Sequence, residues 1–381
     1  MTSRYLLALA TMFIPTGYVC AHTGAGADTP ARELELPRPE DGYHQAVEVV
    51  APGVWVLSQP KFQVQPIGNV VVVEQADGLV MFDAGGSPGA GRRLVASVKK
   101  LSDKPVKLIV ISHWHGDHVQ GLSEILRAWP DARTLSTQPT QMHLRTAKTM
   151  NSPAEFDEEQ NRRVLSQIDG LSQYVTQMRD AAVSSQDRED WGAAARLLNQ
   201  YRADSDGALT IAPLENFAGT LQFPDPERPI AVTFPGRANT DGDAVLWLPK
   251  QRIVAAGDIV VLPFPYGSAP YLLEWRDALK QLASSKFAAL IPGHGAVQRN
   301  DSYLVKLDRA LSEALGEARE VDARRTTAED ARARISSTQA ALFDLKGAWQ
   351  RRWFEEFWVK PILAAALKEV RQEPVVQSLG S

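Results

Sequence analysis

Cysteine is almost missing from this chain: Cys20 is the only one in 381 residues. It lies in an N-terminal stretch that reads as removable. Cleavage after Ala21 or Ala27 leaves a chain with no disulfide and no thiolate metal ligand. A strong excess of charge of either sign is missing too. The formal net charge of -4 gives no basis for binding nucleic acid or an anionic membrane surface. Beyond the N-terminus there is no run of 18 or more apolar residues, so no internal transmembrane span is expected. Histidine is scarce, with seven in all. Three of the seven fall in one short stretch, Ile111-Ser112-His113-Trp114-His115-Gly116-Asp117-His118.

What is present fits a globular protein of one large domain with extensions. The hydrophobic fraction of 44% and charged fraction of 23% are ordinary. Arg4 followed by the apolar run Tyr5 to Ile14 and then small residues reads as a secretory signal over 1–27. A periplasmic or secreted location follows. Residues 28–45, rich in Pro, Glu and Gly, read as a linker.

Short β-branched runs separated by Pro and Gly predict strands at Val47–Val50, Gly53–Leu57 and Asn69–Glu74. Asp77-Gly78 is a hairpin turn that feeds Leu79–Asp83. A helix is expected over Gly89–Lys100, with Leu94, Val95 and Val98 on one face. Val106–Ile111 reads as a buried strand, and a helix begins near Gly121. The histidine stretch is therefore a loop at the C-terminal end of a strand, where open α/β sheets place their sites. On such a loop His113 and His115 can converge on one metal, while Asp117 and His118 turn toward a neighbouring one. Imidazole nitrogen and carboxylate oxygen are ligands that a zinc-like ion prefers.

Residues 139–207 are polar and helix-prone, with amphipathic segments at Pro153–Ile168 and Trp191–Tyr201. They read as a helical insertion. His143, near its start, reads as a surface or packed residue. Strands resume at Ile230–Phe234, Ala244–Leu248, Gln251–Ala256 and Ala288–Ile291, with a helix over Leu272–Ala283. Leu262 to Gly267 is a stiff aromatic loop in which Tyr266 can donate a hydrogen bond. From about 301 a C-terminal helical extension is expected to reach Glu373. Thr327 and Asp330 suggest a capping box, and Pro361 a kink or restart. Trp349, Trp353 and Phe357 share one helical stripe, Phe354 and Trp358 another. Their burial against the chain's own domain is expected, with a homodimer contact as the alternative.

The motifs together resemble the metallo-β-lactamase fold superfamily. His113-x-His115-x-Asp117-His118 resembles its signature, and Val80-Met81-Phe82-Asp83-Ala84-Gly85 its first motif. Ala255-Ala256-Gly257-Asp258 is similar to its bridging-aspartate motif, and Ile291-Pro292-Gly293-His294-Gly295 to its last histidine motif. The resemblance implies an α/β fold, an αββα sandwich over residues 46–300, with two metal positions between the sheets and hydrolysis by metal-bound hydroxide. It makes Asp83 an outer carboxylate that supports the metal loop. It makes Asp258 a bridge between two cations, and His294 a ligand.

One position departs from the pattern. Where the family has His in Gly-x-x-His-Thr-x-Gly-Asp, this chain has Asn239 in Gly236-Arg237-Ala238-Asn239-Thr240-Asp241-Gly242-Asp243. An amide oxygen is a poorer zinc donor than an imidazole nitrogen. The expectation is one tightly bound Zn2+ at Asp117, His118, Asp258 and His294. A second, at His113, His115 and Asn239, is expected to be weak or absent. The implied function is cleavage of an ester, lactone, thioester or amide bond in a small-molecule substrate. Asp117 would orient the water or take its proton, and Tyr266 would stabilise the oxyanion. A β-lactam substrate, a non-catalytic binding protein and a di-iron redox protein are the alternatives. Asp258 weighs against the first, because true metallo-β-lactamases tend to carry Cys or Ser there.

Overall fold

The computed structural model describes residues 46–58, 68–146, 158–345 and 348–377. The expected signal, linker and residues 153–157 of the first insertion helix lie outside these. Two sheets form the centre. The first has seven strands in sequence order: β1 (Ala46–Ala51), β2 (Val54–Ser58), β3 (Val70–Gln75), β4 (Gly78–Phe82), β5 (Val106–Val110), β6 (Arg133–Thr137) and β7 (Glu215–Phe217). β1 to β4 are antiparallel neighbours, and β4 to β7 run parallel. The second sheet holds β8 (Thr220–Phe223), β9 (Ile230–Thr233), β10 (Val245–Leu248), β11 (Ile253–Ala255) and β12 (Ala289–Ile291), in order β12-β11-β10-β9-β8.

Strand periodicity explains why the layers stack. Along β3, Val71 and Val73 pack between the sheets with Val80, Phe82, Val232 and Leu246. Val70 and Val72 face the other way, onto Leu94 and Val98 of α1 (Pro88–Leu101) and onto Leu122 and Ile125 of α3 (Leu122–Ala128). Both faces are apolar, so the first sheet must be covered twice. The outer face of the second sheet is covered by α7 (Leu272–Ser284) and α8 (Ser302–Asp322). The result is the αββα sandwich.

Most of the remaining helices join that outer layer, while Leu144 packs on the outer face of the first sheet. α4 (Gln138–Thr146) leaves β6 directly, and α5 (Glu158–Ala181) and α6 (Ser185–Asp204) pair with each other. Beyond α8 come α9 (Ala328–Leu342), α10 (Ala348–Phe354) and α11 (Lys360–Val370). Trp191 and Leu198 of α6 share one core with Trp353, Phe357 and Ile362. The insertion and the extension therefore pack together. Trp353, Phe354, Phe357 and Trp358 are buried within this chain, so these aromatic side chains are already covered without a partner. Among the described residues, no helix is long and apolar enough to cross a membrane.

Several local expectations need adjustment. β6, β7 and β8 were not foreseen, because Arg133-Thr-Leu-Ser-Thr has no apolar run and the other two are three and four residues long. The helix expected to end at Ile168 continues to Ala181. Pro361 falls where one α-helical segment gives way to the next, at a restart. It lies in the first turn of α11, and a π-helical turn at Glu355–Val359 precedes it. Thr327 does cap α9, accepting from Asp330 N at 3.0 Å, but the Asp330 carboxylate accepts from the Thr327 hydroxyl rather than reaching the backbone as a capping box requires.

Candidate metal centre

The candidate ligands sit where parallel strands end. Asp83 follows β4, the stretch 112–118 follows β5, Asp258 follows β11 and His294 follows β12. The sandwich brings these four strand ends to one edge. His113, His115, Asp117, His118 and Asp258 are buried, and His294 is 4% exposed.

They form two sets that share one residue. Asp117, His118, Asp258 and His294 converge in the first, and His113, His115 and Asp258 in the second, with ligand atoms in each set within 4.8 Å of one another. Asp258 divides its oxygens between them. Its Oδ1 lies 3.2 Å from His118 Nε2 and 3.4 Å from His294 Nε2, and its Oδ2 lies 3.6 Å from His113 Nε2. Within the first set, Asp117 Oδ2 is 2.9 Å from His294 Nε2 and 3.2 Å from His118 Nε2. In the second, His113 Nε2 and His115 Nδ1 are 2.9 Å apart.

Asp83 orients both sets. It holds a left-handed backbone (φ 71°), uncommon for a residue other than glycine, and accepts from Ser112 N at 2.7 Å. Its Oδ2 lies 2.8 Å from both His118 Nδ1 and Ser112 Oγ, and Ser112 Oγ lies 2.9 Å from His113 Nδ1. A carboxylate only accepts, so Ser112 donates to Asp83 and His113 Nδ1–H donates to Ser112. His118 Nδ1–H donates to Asp83 directly. The Nε2 lone pairs of His113 and His118 are left facing the cluster, the tautomers a metal requires.

The electrostatics are those of a site built for cations. Burial pushes His113 well below the ordinary imidazole range, and takes His115 down to about 4. Burial also opposes charge on His118, but Asp117, Asp258 and Asp83 outweigh it and hold that imidazole well above its usual value. Burial likewise opposes charge on Asp117 and Asp258, yet the surrounding imidazoles keep both acidic. Among the described residues, His115 Nε2 and Asp117 Oδ1 have no hydrogen-bond partner. Buried polar atoms are normally satisfied, and a divalent cation would satisfy these. The donor set of imidazole nitrogen and carboxylate oxygen fits zinc.

Tyr266 is buried, and its hydroxyl donates to Asp258 Oδ2 at 3.0 Å. Asn239 is 1% exposed, and among the described residues neither polar atom of its side chain has a partner. Its Oδ1 rests against Gly267, where a Cβ would lie 2.7 Å away. His143 stands outside both sets. Its Nε2 lies 2.9 Å from Asp241 Oδ2, and its ring stacks on Trp114. Beside Ser112, sequence reasoning missed Asn69. Its Nδ2 donates to Pro292 O and Gly295 O, both at 2.9 Å, clamping the His294 loop to β3. The only signal for Asn69 was a polar residue opening an apolar strand. Ser112 was visible only as a hydroxyl beside His113.

The sequence profile of the metallo-beta-lactamase superfamily matches residues 65–294. The chain belongs to the metallo-beta-lactamase superfamily. This agrees with the sandwich and supports a metal-dependent hydrolase. A linear primary-alkylsulfatase from a Pseudomonas species is 25% identical over 236 residues, 59% of this chain and 40% of that protein. Among solved structures, the stereoselective inverting sec-alkylsulfatase Pisa1 from Pseudomonas sp. matches 85% of this chain and 50% of its own, with TM-score 0.56 and 14% identity. A metallo-beta-lactamase from Pontibacter korlensis matches 71% of this chain and 99% of its own, with TM-score 0.48 and 19% identity. The chain thus spans half or less of the alkylsulfatases it resembles.

Proposed function

We propose that this chain is a zinc-dependent hydrolase of ester bonds, and that alkyl sulfate esters are the first substrates to test. The observation that carries the hydrolase reading is the pair of buried His and Asp sets sharing Asp258, with polar atoms left unpaired. The sulfate ester rests on the alkylsulfatase relative. When bound by these residues, a divalent cation would supply Lewis acidity and would make a water more acidic, down to a pKa of about 7.

The chain's own groups do the rest. Asp117 Oδ1 is buried and unpaired, so it can orient a water or accept its proton. Tyr266 holds Asp258 in place through its single hydroxyl proton, and it would serve charge developing on the substrate only by turning that proton away from Asp258. Asp83 and Ser112 fix the tautomers of His118 and His113. Burial of the whole cluster strengthens each of these interactions, because the surrounding dielectric is low. The reading places zinc at Asp117, His118, Asp258 and His294, with Asn239 completing the weaker His113 and His115 site. A periplasmic or secreted location rests on residues 1–27 alone.

Turnover of a panel tests this: a primary alkyl sulfate, a nitrophenyl ester, a lactone and a chromogenic β-lactam, with and without chelator. Chelator-sensitive cleavage of the sulfate or the carboxylic ester supports the proposal. Cleavage of the β-lactam alone would favour the lactamase reading that the superfamily also permits. No cleavage by a zinc-loaded chain would favour a binding protein, the reading to which Asn239 lends weight.

A further inference from the structure

We propose that the segment following α11 is a strap that holds the Asn239 loop closed over the metal centre, with Gln377 as its positioning residue. The inference rests on the reading of Asn239 as part of the weaker metal site, and deepens it.

The strap is anchored before it reaches the site. Glu369, near the end of α11, accepts from Leu273 N at the start of α7 at 3.1 Å. Glu373 N then bonds to Lys368 O at 2.8 Å, and the chain runs on past Tyr271 to Gln377. There one carboxamide uses three of its hydrogen-bonding positions. Gln377 Oε1 accepts from Asp241 N at 2.9 Å, and Nε2 donates to Asn239 O at 3.1 Å and to Ala269 O at 2.8 Å. Asn239 and Asp241 belong to the 236–243 loop. Ala269 belongs to the loop that carries Tyr266 and Gly267. Gln377 therefore ties together two loops that run so close that a Cβ on Gly267 would lie 2.7 Å from Asn239 Oδ1.

Other contacts pin the same loop and leave that task to Gln377. Tyr271 N bonds to Ala238 O at 2.8 Å, one residue before Asn239. His143 of α4 holds the Asp241 side chain. Neither reaches the backbone of Asn239 itself, which Gln377 does. The geometry also demands an amide. Two carbonyls and one N–H face the group, so it must donate twice and accept once. A glutamate in its place accepts from Asp241 N but turns a charged oxygen toward the carbonyls of Asn239 and Ala269. Gln377 is only half-buried and belongs to no core cluster, so its replacement leaves the sandwich packing untouched.

The test is made on the full chain with zinc alone, by hydrogen exchange over residues 236–243 and by equilibrium dialysis for the second zinc. Gln377→Ala is expected to speed exchange in that loop and to weaken the second zinc about tenfold, the lower end for losing a partner that orients a ligand. Gln377→Glu is expected to do at least as much. Behaviour of Gln377→Glu like the unaltered chain would overturn the proposal, because the two donated bonds would then be idle. Asn239→Ala separates the strap from the reading beneath it. If Asn239→Ala weakens the second zinc and Gln377→Ala does not, the strap is wrong and the Asn239 reading stands. If neither changes it, or the unaltered chain binds no second zinc, both fall.

Discussion

Gly293 approaches Asp258 so closely that a Cβ on the glycine would lie 2.0 Å from Asp258 Oδ1, 2.7 Å from Gly257 C and 2.9 Å from Asp258 N. The last two are backbone atoms and cannot swing aside. The Asp258 carboxylate therefore owes its position to a missing side chain one residue before His294. Gly293→Ala is expected to displace Asp258 and lower zinc content per chain. It should also cost roughly 1–3 kcal/mol of stability, the usual penalty for overpacking a tight interior. Elemental analysis and denaturant unfolding measure the two effects. Normal zinc with normal stability would show that this loop yields more easily than its contacts imply.

Ser112 and Asp83 make separable predictions, because Ser112 serves only His113 while Asp83 serves His118 as well. Ser112→Ala removes the acceptor for His113 Nδ1–H and leaves the Asp83 bond to His118 at 2.8 Å. The His113 and His115 site should lose roughly 10–100-fold in zinc affinity, and the other should keep its zinc. Asp83→Asn should weaken both sites. Zinc titration of the metal-free variants distinguishes them. Equal losses at both sites in Ser112→Ala would refute the relay.

The convergence of the candidate ligands was legible because side chains suited to one metal site cluster in sequence when one loop supplies them. Four of the residues that converge lie between His113 and His118. The apolar strands were legible because Val70 to Val73 and Leu79 to Phe82 are buried on both faces, and short β-branched apolar runs bounded by turn residues read as covered strands. The supports were not. Asn69 meets Pro292 across 223 positions, and Gln377 meets Asn239 across 138. Each is a single polar residue in an unremarkable place, and only the fold gives it a partner. β6 was missed for a related reason. Its Thr134, Ser136 and Thr137 are buried and their hydroxyls find bonds after folding, with Leu214 N, Thr137 O and Gly242 O respectively. A pattern of apolar residues cannot foresee that.

Asp243 predicts a pH dependence. It is buried, one oxygen accepts from Thr240 N at 2.7 Å, and the other has no partner. Burial pushes its carboxyl up to about 8 from an ordinary 3.8. Between those values the folded chain binds a proton that the unfolded chain has released, so folding stability falls as pH rises. Below about 4 both states are protonated and the penalty vanishes. Above about 8 it is fully developed. Asp243→Asn keeps the acceptor for Thr240 and removes the titration. In chelator-treated protein, stability of the variant relative to the unaltered chain should rise by up to roughly 1.4 kcal/mol per pH unit across that window. Parallel unfolding curves at pH 5 and pH 8 would detect it, and a constant difference would mean that Asp243 stays ionised.

Asn239 carries the prediction about stoichiometry. The set of Asp117, His118, Asp258 and His294 is complete without it. The set of His113, His115 and Asp258 has three donors, and a fourth position would fall to Asn239 or to water. Zinc strongly prefers imidazole nitrogen to a neutral amide oxygen, so the unaltered chain, purified without added metal, should hold about one zinc, and Asn239→His about two. The larger ring must also fit beside Gly267, where the amide oxygen already makes close contact. A variant that unfolds would therefore leave the comparison to Asn239→Asp, a charged oxygen donor close to asparagine in size, which should raise occupancy of the second position. Two zincs already present in the unaltered chain would mean that a buried, unpaired amide is donor enough, and that the exchange of His for Asn tunes this centre without emptying it.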